Sequence, residues 1–291
     1  MQGAAIFGDL FLSAGAMKAG TTWLYTLLAL HPEMHVTPEK ELHYFHHRHV
    51  DPTQLDDAWR RQAVIGRVLP RLEPHKPDID IAHVRATVDW AARYLDGAVD
   101  DRWFANLFPP APGYRCDFSN LHAHLPSRAW KQIASQSDRL RVLYILRDPV
   151  ARAWSHVKFH LKYTGALDQL DGWSDRQLRA FARQRMIRDN GDYARVLRNM
   201  RAGLGPDQLK VMIYEDIHAN PRAALAEIED FLNIARFDYP EHLLARKVNV
   251  SPELPMPPGF ADLLARDTAK VLAGMEQAGI AVPDSWKTGS K

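Results

Sequence analysis

Short apolar runs alternate along the chain with stretches whose apolar positions recur every three to four residues. The runs fall at 6–13, 114–118, 141–146 and 209–214, and the last three are enriched in β-branched or aromatic residues. Runs of this length predict buried strands, and the stretches between them predict helices. The alternation is typical of an α/β protein with three layers, a central and mostly parallel β-sheet flanked by helices.

Several helix boundaries are marked by capping residues. Residues 23–30 predict a helix, and Ser174 with Gln177 has the capping-box spacing that opens another helix, extending to about residue 188. Asn220 before Pro221 predicts an N-cap followed by a first-turn proline. We expect one domain over residues 1–291, with 46–100 as a variable insertion over the sheet and 251–291 as a C-terminal loop and helix.

Composition narrows the class of protein. The 291 residues include 37 Lys plus Arg and 35 Asp plus Glu, a net charge of +2, which disfavours general binding of nucleic acid or an anionic membrane. The single cysteine, Cys116, can form neither an intramolecular disulfide nor a cysteine-based metal site, and it fits a cytoplasmic location. No apolar run reaches the roughly 18 residues of a membrane span, and Asp9 argues against a signal peptide.

A small-residue loop follows the first predicted strand. Gly15 and Gly20 have the spacing of a phosphate-binding loop, but Thr21 stands where nucleotide-triphosphate loops have their lysine, and the lysine is Lys18 instead. A strand, a glycine-containing turn and a helix in this order attract phosphate. The displaced lysine weakens the case for a β/γ-phosphate and magnesium clamp.

A second basic motif follows the strand at 141–146. Arg147 is predicted at the carboxyl end of this strand, where open α/β sheets bind ligands. Pro149 suits the first turn of a helix, on which Arg152 and Ser155 share one face. Arg147 and Ser155 are therefore candidates for binding one phosphate.

Together these motifs resemble those of sulfotransferases that use 3′-phosphoadenosine 5′-phosphosulfate (PAPS). Residues 18–23 (KAGTTW) resemble the 5′-phosphosulfate loop, and Arg147-Asp148-Pro149 with Arg152 and Ser155 resembles the 3′-phosphate motif. Residues 40–45 (KELHYF) and 211–216 (VMIYED) also resemble segments of bacterial, carbohydrate-type and heparan-sulfate-sulfotransferase-like members. The resemblance implies a P-loop-like fold and transfer of a sulfonyl group to a hydroxyl, or less favourably an amine, of a small-molecule or carbohydrate acceptor. No metal is expected, and the oligomeric state is open.

The resemblance also implies roles for individual residues. Lys18 would stabilise the leaving group, and the nucleotide would be held by Lys18, Ala19, Gly20, Thr21, Thr22, Trp23, Arg147, Ser155, Arg246 and Lys247. Trp23 would stack on adenine or serve as a core residue. Glu41 is the candidate general base and His43 its rival, while the alternative for Glu41 is a solvated pair with Lys40.

One departure from the family pattern concerns Phe118, which stands where many carbohydrate-type members have a lysine near the sulfonyl group. Without that lysine, either His43 or another cation must assist at the sulfonyl group, or the acceptor is easier to activate. The histidines at 43, 46, 47 and 49 complete no familiar metal motif. Two other functions stay open, a P-loop kinase for a small metabolite and a non-catalytic module that binds a nucleotide or glycan.

Overall fold

The computed structural model describes residues 5–72, 80–246 and 254–287. Five strands form one sheet in the order β2-β3-β1-β4-β5, and every neighbouring pair is parallel. The strands are β1 (Asp9–Ser13), β2 (Met34–Val36), β3 (Tyr114–Asp117), β4 (Arg139–Leu146) and β5 (Leu209–Ile213). The predicted α/β class with a parallel central sheet is confirmed.

Helices flank the sheet. They are α1 (Thr21–Leu28), α2 (Tyr44–His49), α3 (Asp57–Ala63), α4 (Ile81–Leu95), α5 (Asp101–Asn106), α6 (Ser127–Ser135), α7 (Pro149–Tyr163), α8 (Asp175–Ala182), α9 (Arg185–Arg188), α10 (Tyr193–Gly203), α11 (Tyr214–Ala219), α12 (Pro221–Leu232), α13 (Glu241–Leu244), α14 (Phe260–Gln277) and α15 (Asp284–Lys287). None of the helices within the described ranges is long and apolar enough to cross a membrane.

Capping explains where three of these helices begin. Asp148 accepts a hydrogen bond from the backbone N–H of Ala151 at 2.7 Å, so α7 starts at Pro149. Ser174 and Gln177 form the predicted capping box of α8. Asn220 caps α12 by accepting from the backbone N–H of Ala223. The caps at Ser174 and Asn220 were predicted from the sequence, and for α7 the first-turn position of Pro149 was predicted.

One element prediction is wrong in extent. The helix opened by Ser174 ends at Ala182 rather than near residue 188, and a separate helix follows at Arg185–Arg188. The segment between residues 50 and 100, which showed little regular pattern, contains α3, α4 and a π-helical turn at Val64–Val68. Its buried side chains include Trp90 and Tyr94, whose rings stack with centroids 4.8 Å apart. This aromatic packing orders a segment that lacks strong helical periodicity.

The strand order determines where ligands can enter. The strand β1 lies between β3 and β4, and the chain leaves β1 toward one side of the sheet and reaches β4 on the other. A reversal of this kind opens a crevice at the carboxyl ends of the two central strands. The loop after β1 and the start of α7 after β4 both lie at this edge of the sheet.

Candidate active site

A cavity of about 880 Å³ opens at the carboxyl ends of β1 and β4. Its wall combines the loop after β1, α1, one side of α7 and α11, together with the segment that ends at Arg246. The volume is within the usual range for a site that binds a cofactor-sized ligand. Cationic side chains contribute to it from several elements, namely Lys18, Arg147, Lys158, Arg222 and Arg246.

The loop after β1 is held along β4 by backbone hydrogen bonds. The N–H of Ala16 donates to the carbonyl of Ile145 at 2.9 Å, and the N–H of Ile145 donates to Gly15 at 2.8 Å. Gly20 precedes α1 with a φ of 82°, and a Cβ there would lie 3.0 Å from the Tyr214 ring. A glycine is therefore required at residue 20 for both backbone conformation and space. The turn brings the amino end of α1 into the cavity wall.

Lys18 extends from the crown of this loop. Its ammonium nitrogen lies 4.5 Å from the centroid of the Phe159 ring. Burial, followed by the nearby Arg147 guanidinium, lowers the pKa of Lys18 to about 8, although Glu41 opposes this shift. A desolvated ammonium beside other cations is poorly compensated by the protein, so an anion bound in the cavity would be attracted to it.

Arg147 connects the two predicted motifs. Its Nη1 donates to the carbonyl of Lys18 at 2.8 Å, and its guanidinium lies 4.6 Å from the centroid of the Tyr214 ring. The backbone of Arg147 is held by Tyr193, whose hydroxyl donates to the Arg147 carbonyl at 2.8 Å. Its Nε is buried and has no hydrogen-bond partner among the described residues. The arginine thus lies in the cavity with donor capacity left for a ligand.

The α7 helix presents Ser155 but not Arg152 to the cavity. Ser155 is buried and lines the cavity wall. Arg152 is only 2% exposed, and its Nη2 donates to the carbonyl of Ile187 at 2.9 Å. The guanidinium also fills the space beside Gly191, where a Cβ would lie 2.7 Å from Nη2. Arg152 and Ser155 lie one turn apart on α7 as predicted, but only Ser155 lines the cavity, because the arginine packs against the segment around α9.

On the side of the cavity next to α11, Trp23 packs as a core residue and also reaches the cavity wall. The indole is almost fully buried, donates from Nε1 to the carbonyl of Leu244 at 3.3 Å, and lies 5.0 Å from the His218 ring. It nevertheless contributes to the cavity wall, as does Arg246. Lys247, predicted to act with Arg246, lies outside the described residues.

Glu41 lines the cavity from the segment before α2 and accepts two hydrogen bonds on one oxygen. Lys40 Nζ lies 3.2 Å from Oε1, and Asn120 Nδ2 donates to the same atom at 2.8 Å. Desolvation acts to raise the pKa of Glu41, but Lys40, His43 and the Asn120 hydrogen bond outweigh it, and the pKa lies below its usual value. Glu41 is therefore ionised at neutral pH.

His43 lies next to Glu41. Its Nε2 is 3.6 Å from Oε2 of Glu41, while its backbone N–H donates to Ser119 Oγ at 2.9 Å. Burial lowers the pKa of His43 despite the opposing effect of Glu41, so the imidazole is neutral at pH 7. Among the described residues that form the cavity wall, Glu41 is present and His43 is not.

Sequence reasoning missed the roles of Lys40 and Asn120. Thr21 lines the cavity, and its hydroxyl donates its proton to Asn120 Oδ1 at 3.2 Å. Phe118 packs in the core, with ring centroids 5.6 Å from Phe11 and 5.3 Å from Tyr25. The only signal for Asn120 was its position just after the carboxyl end of β3, the edge where ligands collect.

The histidines of α2 do not gather around a common point. His46 Nδ1 lies 2.7 Å from Oε1 of Gln54, within hydrogen-bond distance. Across the described ranges, no group of three or more His, Cys, Asp or Glu side chains is arranged to hold a metal ion.

Comparison with known proteins places this geometry in a family. The model of the sulfotransferase family matches residues 12–239, well over half of the chain. A sulfotransferase from Alicyclobacillus acidocaldarius is similar in fold, with a TM-score of 0.63 and 20% identity over 96% of this chain and 98% of that one. The sulfotransferase domain of the Synechococcus PCC 7002 olefin synthase has a TM-score of 0.50 and 17% identity over 97% and 98% of the two chains.

No curated protein matches the chain in sequence. The solved structures, at 20% identity or less, establish the fold alone. The family model covers both of the motifs that meet in the cavity, the loop that carries Lys18 and the start of α7 at Arg147. The chain belongs to the sulfotransferase family.

Proposed function

We propose that the chain transfers a sulfonyl group from PAPS to a hydroxyl, with an amine as second choice, of a small-molecule or carbohydrate acceptor. The observation that carries the proposal is the meeting of Lys18, the amino end of α1 and Arg147 in one cavity with Glu41. Four features of one site thus match the four needs of sulfonyl transfer, which are leaving-group stabilisation, phosphate binding, nucleotide anchoring and proton removal.

The residues present fit such a nucleotide. The donor set consists of ammonium, guanidinium and helix N-terminal N–H groups, which suits phosphate and sulfonate oxygens. Arg147 Nε is a buried donor that no described protein atom satisfies. Gly20 keeps the backbone clear where any side chain would meet Tyr214. Ser155 and Arg246 extend the same wall, and we assign Arg147 and Ser155 to the 3′-phosphate.

Bound PAPS supplies an activated sulfonyl group and a 5′-phosphate that departs with negative charge. Lys18 stabilises that charge, because its ammonium is desolvated and has Arg147 as a cationic neighbour. The N–H groups at the start of α1 bind the 5′-phosphate. Glu41 accepts the proton of the acceptor hydroxyl as the oxygen attacks sulfur, since it is ionised and lines the cavity.

The test combines binding with a screen for transfer. We expect adenosine 3′,5′-bisphosphate to bind in calorimetry, and incubation with PAPS to add the mass of one SO₃ to a member of a panel of phenols, sugars, alcohols and amines. Binding without transfer to any member of the panel would favour the non-catalytic module. Magnesium-dependent binding of ADP without bisphosphate binding would favour the kinase, which the family match does not support.

Arg147→Ala is expected to weaken bisphosphate binding by about 1.5–3 kcal/mol, or about 10- to 150-fold in Kd, because a charge-assisted contact is lost. Titration calorimetry measures the effect. Arg141→Ala is a matched control, since Arg141 lies on β4, the strand that precedes Arg147, donates to the carbonyl of Phe231 at 2.9 Å and faces the Phe231 ring. Equal Kd values for both variants would show that Arg147 does not bind the 3′-phosphate.

A further inference from the structure

The ammonium of Lys40 lies where three separate chain segments meet. Its nitrogen is 3.2 Å from Oε1 of Glu41, 3.4 Å from the hydroxyl of Thr21 and 3.5 Å from the carbonyl of Phe118. The side chain of Lys40 is only 12% exposed. A solvated surface pair between Lys40 and Glu41 is therefore excluded, and the ammonium is fixed by three protein oxygens.

Asn120 completes the arrangement. Its Oδ1 accepts from the Thr21 hydroxyl at 3.2 Å while its Nδ2 donates to Oε1 of Glu41 at 2.8 Å. The Thr21 oxygen, having donated its own proton, accepts from Lys40. Each donor in this set thus faces an acceptor, and the amide of Asn120 has only one orientation that satisfies both of its partners.

The two oxygens of Glu41 are consequently different. Oε1 accepts hydrogen bonds from both Lys40 and Asn120, whereas Oε2 lies 3.6 Å from His43 Nε2. Two donors converging on one oxygen stabilise the ionised carboxylate and restrict its rotation. The oxygen that is left to accept a proton from a ligand is Oε2.

We propose that Lys40 and Asn120 form a clamp on Oε1 that keeps Glu41 ionised, directs Oε2 to the acceptor and connects this base to the phosphate loop through Thr21. The inference rests on the proposed function, in which Glu41 is the base. Lys40 is a positioning residue, because its ammonium contacts Glu41, Thr21 and the Phe118 carbonyl and is not part of the cavity wall. The other charged or titratable groups around Glu41 are Lys18, Glu39 and His43.

The first experiment measures ionisation of Glu41 without requiring turnover. Glutamate labelled with ¹³C at the side-chain carboxyl is incorporated into the full chain, and the Glu41 signal is identified by its loss in Glu41→Gln. We expect the Glu41 carboxyl to titrate at higher pH in Lys40→Met than in the wild-type protein, and at a nearly wild-type position in Lys40→Arg. Asn120→Ala is a second variant, and its signal is expected to move in the same direction.

Lys210→Met is the matched control. Lys210 is a partly buried lysine that pairs with Glu227 at 2.6 Å and lies at the amino end of β5, away from the cavity. Its removal is expected to leave the Glu41 titration unchanged. An unchanged Glu41 titration in both Lys40→Met and Asn120→Ala would overturn the clamp.

The second experiment separates this inference from the proposed function. In an active enzyme, the acidic limb of the pH profile of kcat/KM is expected to move to higher pH in Lys40→Met, in parallel with the carboxyl titration. A wild-type protein that transfers no sulfonyl group overturns the proposed function, while the carboxyl titration still decides whether Lys40 and Asn120 hold Glu41 ionised. A shifted titration with an unshifted rate profile would remove Glu41 as the base.

Discussion

Lys18→Ala is expected to lower kcat for sulfonyl transfer by about 100- to 1000-fold, the usual effect of removing one preorganised donor from developing negative charge. The ammonium of Lys18 faces the Phe159 ring and carries a pKa lowered to about 8 by burial and by Arg147. Such a group gains more from a departing phosphate than a fully hydrated lysine does. Stopped-time assays with saturating PAPS and acceptor measure the loss.

The backbone of Lys18 makes alanine a clean replacement. The residue has a φ of 71°, and both lysine and alanine carry the Cβ that is strained there, so the substitution adds no strain. The fold is therefore expected to persist, so that any loss of bisphosphate affinity reports the missing ammonium, and Lys210→Ala is expected to be fully active. Near-normal kcat in Lys18→Ala would assign leaving-group stabilisation to another residue.

The pKa of Lys18 gives the same prediction a second readout. Because kcat/KM reports groups of the free enzyme, it is expected to fall as the pH rises through about 8, where the ammonium loses its proton. Bound phosphate and sulfonate groups stabilise the charged form, so the basic limb of kcat is expected at higher pH than that of kcat/KM.

The strands of the sheet were predictable where an apolar run is long enough to be recognised. The predicted runs at 114–118, 141–146 and 209–214 correspond to β3, β4 and β5 within a few residues. The edge strand β2 (Met34–Val36) has only three residues, too few to show a period, and it forms because β3 provides a pairing partner. Its existence depends on a contact between distant residues, which no local pattern reports.

In the candidate site, the residues within local motifs were predictable from the sequence, and those that act through distant contacts were not. Lys18 and Arg147 belong to local motifs, and the topology brings them together as expected for residues that follow β1 and β4. Asn120 and Lys40 contribute through contacts with residues up to 99 positions away, and these contacts could not be read from the segment 40–45 to which Lys40 belongs. Arg152 matched the motif yet turned to Ile187, because helical spacing gives a residue's face but not its partner.

These findings change the interpretation of the near-neutral net charge. Cations are concentrated on the cavity wall, which includes Lys18, Arg147 and Arg246 with Glu41 as an opposing carboxylate. Lys40 is not one of these cations, because its ammonium donates to Glu41, Thr21 and the carbonyl of Phe118 and does not line the cavity. The cations of the cavity wall can thus contact an anionic ligand, whereas Lys40 pairs with Glu41, the proposed base.

Glu41→Gln is expected to lower kcat by about 100- to 10,000-fold, the range that general-base catalysis contributes, while bisphosphate affinity stays near that of the wild-type protein. The amide keeps an oxygen that accepts from Lys40 and Asn120, but it places an NH₂ group where Oε2 must take a proton. Rates measured beside calorimetric Kd values test this separation. His43→Gln is the discriminating variant, because His43 is neutral and 3.6 Å from Oε2 of Glu41. A larger loss of kcat in His43→Gln than in Glu41→Gln would make the imidazole the base and leave Glu41 to orient it.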